Sequence, residues 1–216
     1  MSNDELRIDV ADELLWDPKV DNEAIAVIAD DGAVTLRGTV GSLRERREAT
    51  KAVKRVYGVK QIHNELRVKL LNEERRDDAD LAGAVLQTLM LNRVVPSSID
   101  VTARAGLVTL TGTANYQFER EEAEFAAENV EGVAWVDNAM ELTAPPPDAG
   151  DVKHSIRKAL ERDAKLDADA LSVHSSNGTI TLSGTVRSWA EHDAAVNAAW
   201  AAPGVSNVDD RVLVDY

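Results

Sequence analysis

The stretch Gly32-Ala-Val-Thr-Leu-Arg-Gly-Thr-Val40 decides the fold, because it returns as Gly106-Leu-Val-Thr-Leu-Thr-Gly-Thr-Ala114 and again as Gly178-Thr-Ile-Thr-Leu-Ser-Gly-Thr-Val186. Self-similarity of this kind marks a chain built from repeated supersecondary units. Each copy opens on a turn glycine and alternates apolar with polar residues, the period of a half-buried strand. Twenty residues after the second glycine of each copy (Gly38, Gly112, Gly184) stands a Gly-Val step, at Gly58-Val59, Gly132-Val133 and Gly204-Val205.

Upstream of the three copies, Leu6, Val10 and Leu14, then Leu81, Val85 and Leu89, then Val152, Ile156 and Leu160 repeat every four residues. Each set is one apolar stripe of a helix. Asp4, Asp80 and Asp151 stand near the three helix starts, where a carboxylate caps free backbone N–H groups and opposes the helix dipole. Ile25 and Val27, Ile99 and Val101, and Leu171 and Val173 then alternate as a strand. Asp30-Asp31-Gly32, Arg104-Ala105-Gly106 and Ser176-Asn177-Gly178 supply the glycine that a tight hairpin needs. Downstream of the quoted strand, Ala49, Ala52 and Val53, Ala123, Ala126 and Ala127, and Ala195, Ala198 and Ala199 make the small inward face of a second helix. The Gly-Val step ends that helix. A last strand alternates through Ile62, Leu66 and Val68, through Val136, Met140 and Leu142, and through Val208, Val212 and Val214.

The order is α-β-β-α-β. The sequence therefore predicts an α+β protein of three tandem two-layer modules, each a small three-stranded mixed sheet with two helices on one face. The modules fall at 1–70, 78–143 and 150–216, joined by a charged segment, Asn72-Glu-Glu-Arg-Arg-Asp-Asp78, and by Ala144-Pro-Pro-Pro-Asp-Ala-Gly150, which reads as an extended polyproline spacer. Units this small bury little surface, so packing between at least the first two is expected.

Composition bounds what such a chain does. Its 216 residues carry 38 acidic and 24 basic side chains, a net charge of -14, and that mean field repels both nucleic acid and anionic membrane. With no cysteine there is no disulfide framework, no thiolate zinc site and no cysteine nucleophile. No stretch approaches the ~20 apolar residues that cross a bilayer. The acidic start, Met1-Ser-Asn-Asp-Glu5, lacks the basic-then-apolar order of a secretory signal, which predicts a cytoplasmic location.

The acid is unevenly distributed. Residues 1–72 hold 12 basic and 13 acidic side chains, residues 73–150 hold 5 and 15, and residues 151–216 hold 7 and 10. The second helices sharpen the contrast. In the first module Arg44, Arg46, Arg47, Lys51, Lys54 and Arg55 oppose only Glu45 and Glu48, whereas in the second Glu119, Glu121, Glu122, Glu124, Glu128 and Glu131 oppose only Arg120. The six basic residues are the candidate contact with an anionic surface or a partner. Three readings stay open: a solvated helix face, a dock on the acidic helix within the chain or between molecules, and a contact with anionic lipid.

Other positions read as structural. Gly38, Gly58, Gly112, Gly132, Gly184 and Gly204 are assigned to the backbone, since no phosphate-binding glycine pattern surrounds them. Asn64, Asn138 and Asp210 share an inward position on the last strand, where a polar side chain must be bonded, and are read as tying down a neighbouring loop, with a cation ligand as the alternative. His63, His154, His174 and His192 show no metal-ligand spacing. Asp30-Asp31-Gly32 and Asp167-Ala-Asp169 are fragments of a calcium loop without its full ligand series. Trp16, Trp135, Trp189 and Trp200 are expected in cores or interfaces. No nucleophile arrangement occurs, so neither catalysis nor a cofactor or metal is expected.

Taken together, these motifs resemble the BON family, named for bacterial osmotically inducible and nodulation proteins. The family's hallmark is V-T-L-x-G-x-V after a turn glycine, then an alanine-rich helix, a Gly-Val step and a V-x-N-x-L-x-V strand. This pattern is met at Val34 to Val40, Val108 to Ala114 and Ile180 to Val186, and at Ile62 to Val68, Val136 to Leu142 and Val208 to Val214. The resemblance implies the αββαβ fold and a non-enzymatic module, often periplasmic, tied to osmotic stress and proposed to attach to phospholipid membranes, with some members binding metal or potassium ions. The resulting expectation is a non-enzymatic protein of phospholipid surfaces or the stressed envelope. The alternatives are a soluble module responsive to potassium or a divalent cation, and a scaffold that self-assembles through its basic and acidic helices.

Overall fold

The computed structural model describes residues 2–69, 77–143, 158, 170–202 and 204–216. The stripe Val152, Ile156 and Leu160, the proline segment 144–150, His154, Asp167-Ala-Asp169 and most of the charged linker lie outside these. The chain divides into two compact units, Met1–Thr113 with Arg120–Glu141, and Ala114–Glu119 with Leu142–Tyr216.

In the first module the order is α1 (Asn3–Trp16), a 3-10 turn (Asn22–Ala24), β1 (Ile25–Asp30), β2 (Ala33–Val40), α2 (Leu43–Arg55) and β3 (Gln61–Val68). β2 is central, antiparallel to β1 and parallel to β3, with Val34 opposite Ile62. The second module repeats this as α3 (Asp78–Leu91), β4 (Asp100–Arg104), β5 (Leu107–Thr111), β6 (Thr113–Ala114), α4 (Gln117–Glu128), β7 (Trp135–Asn138) and β8 (Glu141–Leu142). Val108 faces Val136 in the same parallel register. Here the long strands are each interrupted, so β6 and β8 form a separate two-stranded piece. In the third module the described elements are β9 (Leu171–Ser176), β10 (Thr179–Val186), α5 (Trp189–Trp200) and β11 (Asn207–Val214), with Ile180 opposite Val208. The α+β architecture with small mixed three-stranded sheets is the one the periodicity predicts.

The apolar stripes do the packing. Leu6, Val10 and Leu14 of α1 meet Ala49, Ala52 and Val53 of α2 over Val34 and Leu36. In the second module Leu81, Val85 and Leu89 are buried, as are Val108, Leu110, Ala123 and Ala127. In the third, Ile180, Leu182, Ala195 and Ala199 form the centre, with Trp189 and Trp200 packed at its side. Alanine on the inward face lets each second helix lie close to its sheet.

Local chemistry sets the ends. Asp4 does not cap α1: Ser2 does, its Oγ accepting from Glu5 N at 3.2 Å while Glu5 Oε2 accepts from Ser2 N at 2.7 Å. This reciprocal box satisfies two donors that a lone carboxylate one position into the helix would miss. Asp4 and Asp80 instead lie in first turns, where they oppose the dipole. Gly38, Gly112 and Gly184 have φ of 136°, 125° and 134°, and a Cβ at each would collide with the carbonyl oxygen of Ala24, Ser98 or Ala170. The close approach is to the start of the first strand.

Candidate functional site

The repeated polar residue of the last strand joins it to the second helix. Asn64 Nδ2 donates to Arg46 O at 3.1 Å and to Thr50 Oγ1 at 2.7 Å, while its Oδ1 accepts from Leu66 N at 3.0 Å. Arg46 Nη2 returns a bond to Asn64 O at 3.2 Å. Asn138 does the same in the second module, donating to Arg120 O at 2.8 Å, and Arg120 Nη2 donates to Asn138 O at 3.2 Å. Asp210 has no donor to offer, so in the third module the helical side chain is the donor: His192 Nε2 pairs with Asp210 Oδ2 at 2.9 Å. Asp210 Oδ1 still accepts from Val212 N at 3.1 Å. All three partners are helical, not in a loop.

The six basic residues of α2 part company. Arg44 is exposed. Lys51 Nζ bonds Glu48 Oε1 at 2.9 Å, and Lys19 Nζ reaches Glu48 Oε2 at 3.4 Å. Arg55 links the two helices of its module, with Nε 2.6 Å from Glu13 and Nη2 2.7 Å from Asp17. That bond holds the Asp17 carboxyl below its ordinary value, and the Lys51 ammonium holds Glu48 low in the same way. Lys54 is half-buried and also engaged.

Arg46 and Arg47 cross to the second module. The Arg46 guanidinium carbon stands 4.9 Å from the Trp135 ring centroid, and that of Arg47 stands 4.5 Å from Phe125. Arg47 also pairs with Glu128. Arg46 Nε and Arg47 Nε and Nη2 are buried without a hydrogen-bond acceptor, so the ring faces take the place of oxygen ligands. Burial pushes the Glu128 carboxyl above its ordinary value despite Arg47 beside it. Phe125 lies among the acidic residues of α4, and the charge pattern that singled out its neighbours gives no weight to it.

A third feature lies off the apolar stripes. Immediately after the buried Leu14, Leu15 is 63% and Trp16 82% exposed; immediately after the buried Leu89, Met90 is 77% and Leu91 79% exposed. Two modules thus present two adjacent large apolar side chains at the same place, the C-terminal end of the first helix. Lys19 and Arg93 are exposed close by in sequence. Trp16 therefore belongs to no core. The sequence carries the signal as apolar residues out of phase with the helical period.

His63 and His174 are exposed, while His192 packs its ring 4.9 Å from that of Trp189. Asp31-Gly32 is the hairpin turn, where Asp31 N donates to Asn3 Oδ1 at 3.0 Å. Among the described residues no three His, Asp or Glu side chains gather as a metal-binding group, and no helix is long and apolar enough to cross a membrane.

The BON domain model matches residues 2–69, 77–144 and 148–216. Osmotically-inducible protein Y of Escherichia coli K12 is 32% identical over 121 residues, which cover 54% of this chain and 60% of that protein, less than two thirds of its length. Among solved structures, a structural protein of the type III secretion system of Chlamydia trachomatis aligns at 15% identity with a TM-score of 0.28, covering 98% of this chain and 92% of that one. The C-terminal domain of the same protein aligns at 14% identity with a TM-score of 0.28.

Proposed function

The chain belongs to the BON domain family, and on that premise we propose that it is a non-catalytic binding protein that attaches to phospholipid surfaces as part of a response to osmotic stress. The link to osmotic stress rests on the similarity to osmotically-inducible protein Y. The observation that carries the lipid reading is the exposed pair at the end of the first helix, Leu15 with Trp16 and Met90 with Leu91. Singly exposed apolar residues are ordinary on a protein surface, but adjacent large ones repeated in two modules make patches. Tryptophan and leucine at a helix end insert at the boundary between headgroup and acyl chain, gaining roughly 25 cal/mol for each Å² of apolar surface removed from water.

The basic helix contributes less to this attachment than its composition suggests, because Arg46, Arg47, Lys51 and Arg55 already have partners. A net charge of -14 opposes anionic lipid. Attachment is therefore led by apolar insertion, and zwitterionic vesicles should bind at least as well as anionic ones. In co-sedimentation with phosphatidylcholine vesicles, the parent is expected in the pellet, and a variant with Leu15→Ser, Trp16→Ser, Met90→Ser and Leu91→Ser in the supernatant. A parent that stays in the supernatant, or a variant that pellets equally, would rule the reading out.

A further inference from the structure

One of the four exposed apolar side chains carries a sulfur atom, and we propose that Met90 is an oxidation site whose sulfoxide weakens attachment to phospholipid. The inference rests on the lipid reading of the exposed pairs and names a chemical control on one of them. The pair that ends α1 is Leu15 and Trp16, and the pair that ends α3 is Met90 and Leu91.

The chain has no cysteine and three methionines, so all of its sulfur is thioether. With no thiol to consume it, a peroxide reacts with those thioethers according to how accessible each sulfur is. The two methionines among the described residues stand at opposite extremes: Met90 is 77% exposed, and Met140, in the core of the second module, is 3% exposed. Met1 lies outside the described residues.

The oxidant is hydrogen peroxide. A lone pair of the Met90 sulfur attacks one peroxide oxygen and the O–O bond breaks. The departing hydroxide takes the proton of the transferred hydroxyl and leaves as water, so the sulfur has lost two electrons and gained one oxygen. The product ends an apolar surface in a polar S–O group that accepts hydrogen bonds from water. The fold loses nothing by this, because Met90 is already solvated and the packing of α3 runs through its buried neighbour Leu89. At the boundary between headgroup and acyl chain the sulfoxide has to give up hydration that a thioether never had.

The first module sets the contrast. Leu15 follows the buried Leu14 as Met90 follows Leu89, and a hydrocarbon is inert to peroxide. The oxidised chain therefore keeps Leu15 and Trp16 for attachment, and the response is graded. It is also reversible, since methionine sulfoxide is the substrate of dedicated reductases.

The test uses the full chain. After hydrogen peroxide, peptide mass spectrometry should find the added oxygen on the peptide holding Met90 before that holding Met140, with an unchanged circular dichroism spectrum. In co-sedimentation with phosphatidylcholine vesicles, the oxidised protein should need roughly tenfold more lipid for half-maximal binding, the order set by losing the burial of one methionine side chain. Methionine sulfoxide reductase should restore the untreated curve. Met90→Leu should give the same curve before and after peroxide, and Met90→Gln should need more lipid than the parent with no oxidant present. Oxidation of Met140 ahead of Met90, unchanged binding once Met90 is oxidised, or a peroxide response that survives Met90→Leu would each overturn the proposal. An untreated parent that stays in the supernatant would instead sink the lipid reading itself, and this inference with it, and is told apart because it precedes any oxidation.

Discussion

Each hairpin turn consists of two residues with positive φ, Asp31 and Gly32 at 44° and 83°, Ala105 and Gly106 at 52° and 84°, and Asn177 and Gly178 at 47° and 78°. This is the turn whose twist matches paired strands, and Asn or Asp tolerates its first position because a short polar side chain bonds locally. Alanine does not. Ala105→Asn is expected to stabilise the second module by about 1 kcal/mol, read as a rise in the urea midpoint. The mutated backbone N–H keeps its 2.6 Å bond to Asp78. The turn was fully legible in the sequence, since glycine after Asp, Ala or Asn between alternating runs has a local cause. The clasp was only half legible. Asn64, Asn138 and Asp210 stand out by parity, but their partners Arg46, Arg120 and His192 lie a helix away, and no local rule names them. With both ends known, the third module keeps a helical side-chain donor, His192 in place of Arg, while its strand residue changes from the amide donor Asn to the acceptor Asp210.

At the scale of the element, α2 shows how far charge counting goes. Its six cations against two acids left a solvated face, a dock on the acidic helix and a contact with anionic lipid open, and of the six Arg46 and Arg47 make their contact with the second module. The count did not predict that ring faces would carry much of it. The acid partner sets a pH dependence. Glu128 has its proton affinity raised by burial, so the folded state binds that proton more tightly than the unfolded one. Stability attributable to this group therefore rises as pH falls from neutral toward the ordinary carboxylate value. Asp17 and Glu48 act oppositely, their stabilisation being present above that value and lost as pH falls through their lowered ones. Glu128→Gln isolates the effect: between neutral and mildly acidic pH the parent should gain stability relative to the variant, measured as the difference in urea midpoints. A difference that is constant with pH would mean that Glu128 is not desolvated at the contact.

For the whole molecule, the net charge of -14 is a poor guide to where anions and cations meet, since residues 73–150 alone hold 15 acids against 5 bases. The more useful division is into two compact units. Separate cores predict separate unfolding. Leu182→Ala, at a fully buried position of the third module, removes roughly 2–5 kcal/mol and should lower one calorimetric transition while leaving the other in place. A single transition that moves as a whole would mean that the units unfold together.

The sequence by itself determined the repeat, the element order, the turns and the faces of helix and strand that turn inward, because these follow from period and backbone preference within a few residues. Only the tertiary structure decided the partners of the α2 cations and which helical side chain meets the strand residue in the third module. Those depend on which surfaces meet after the chain has folded back on itself, and the energy of a charge or an indole is set by what stands opposite it.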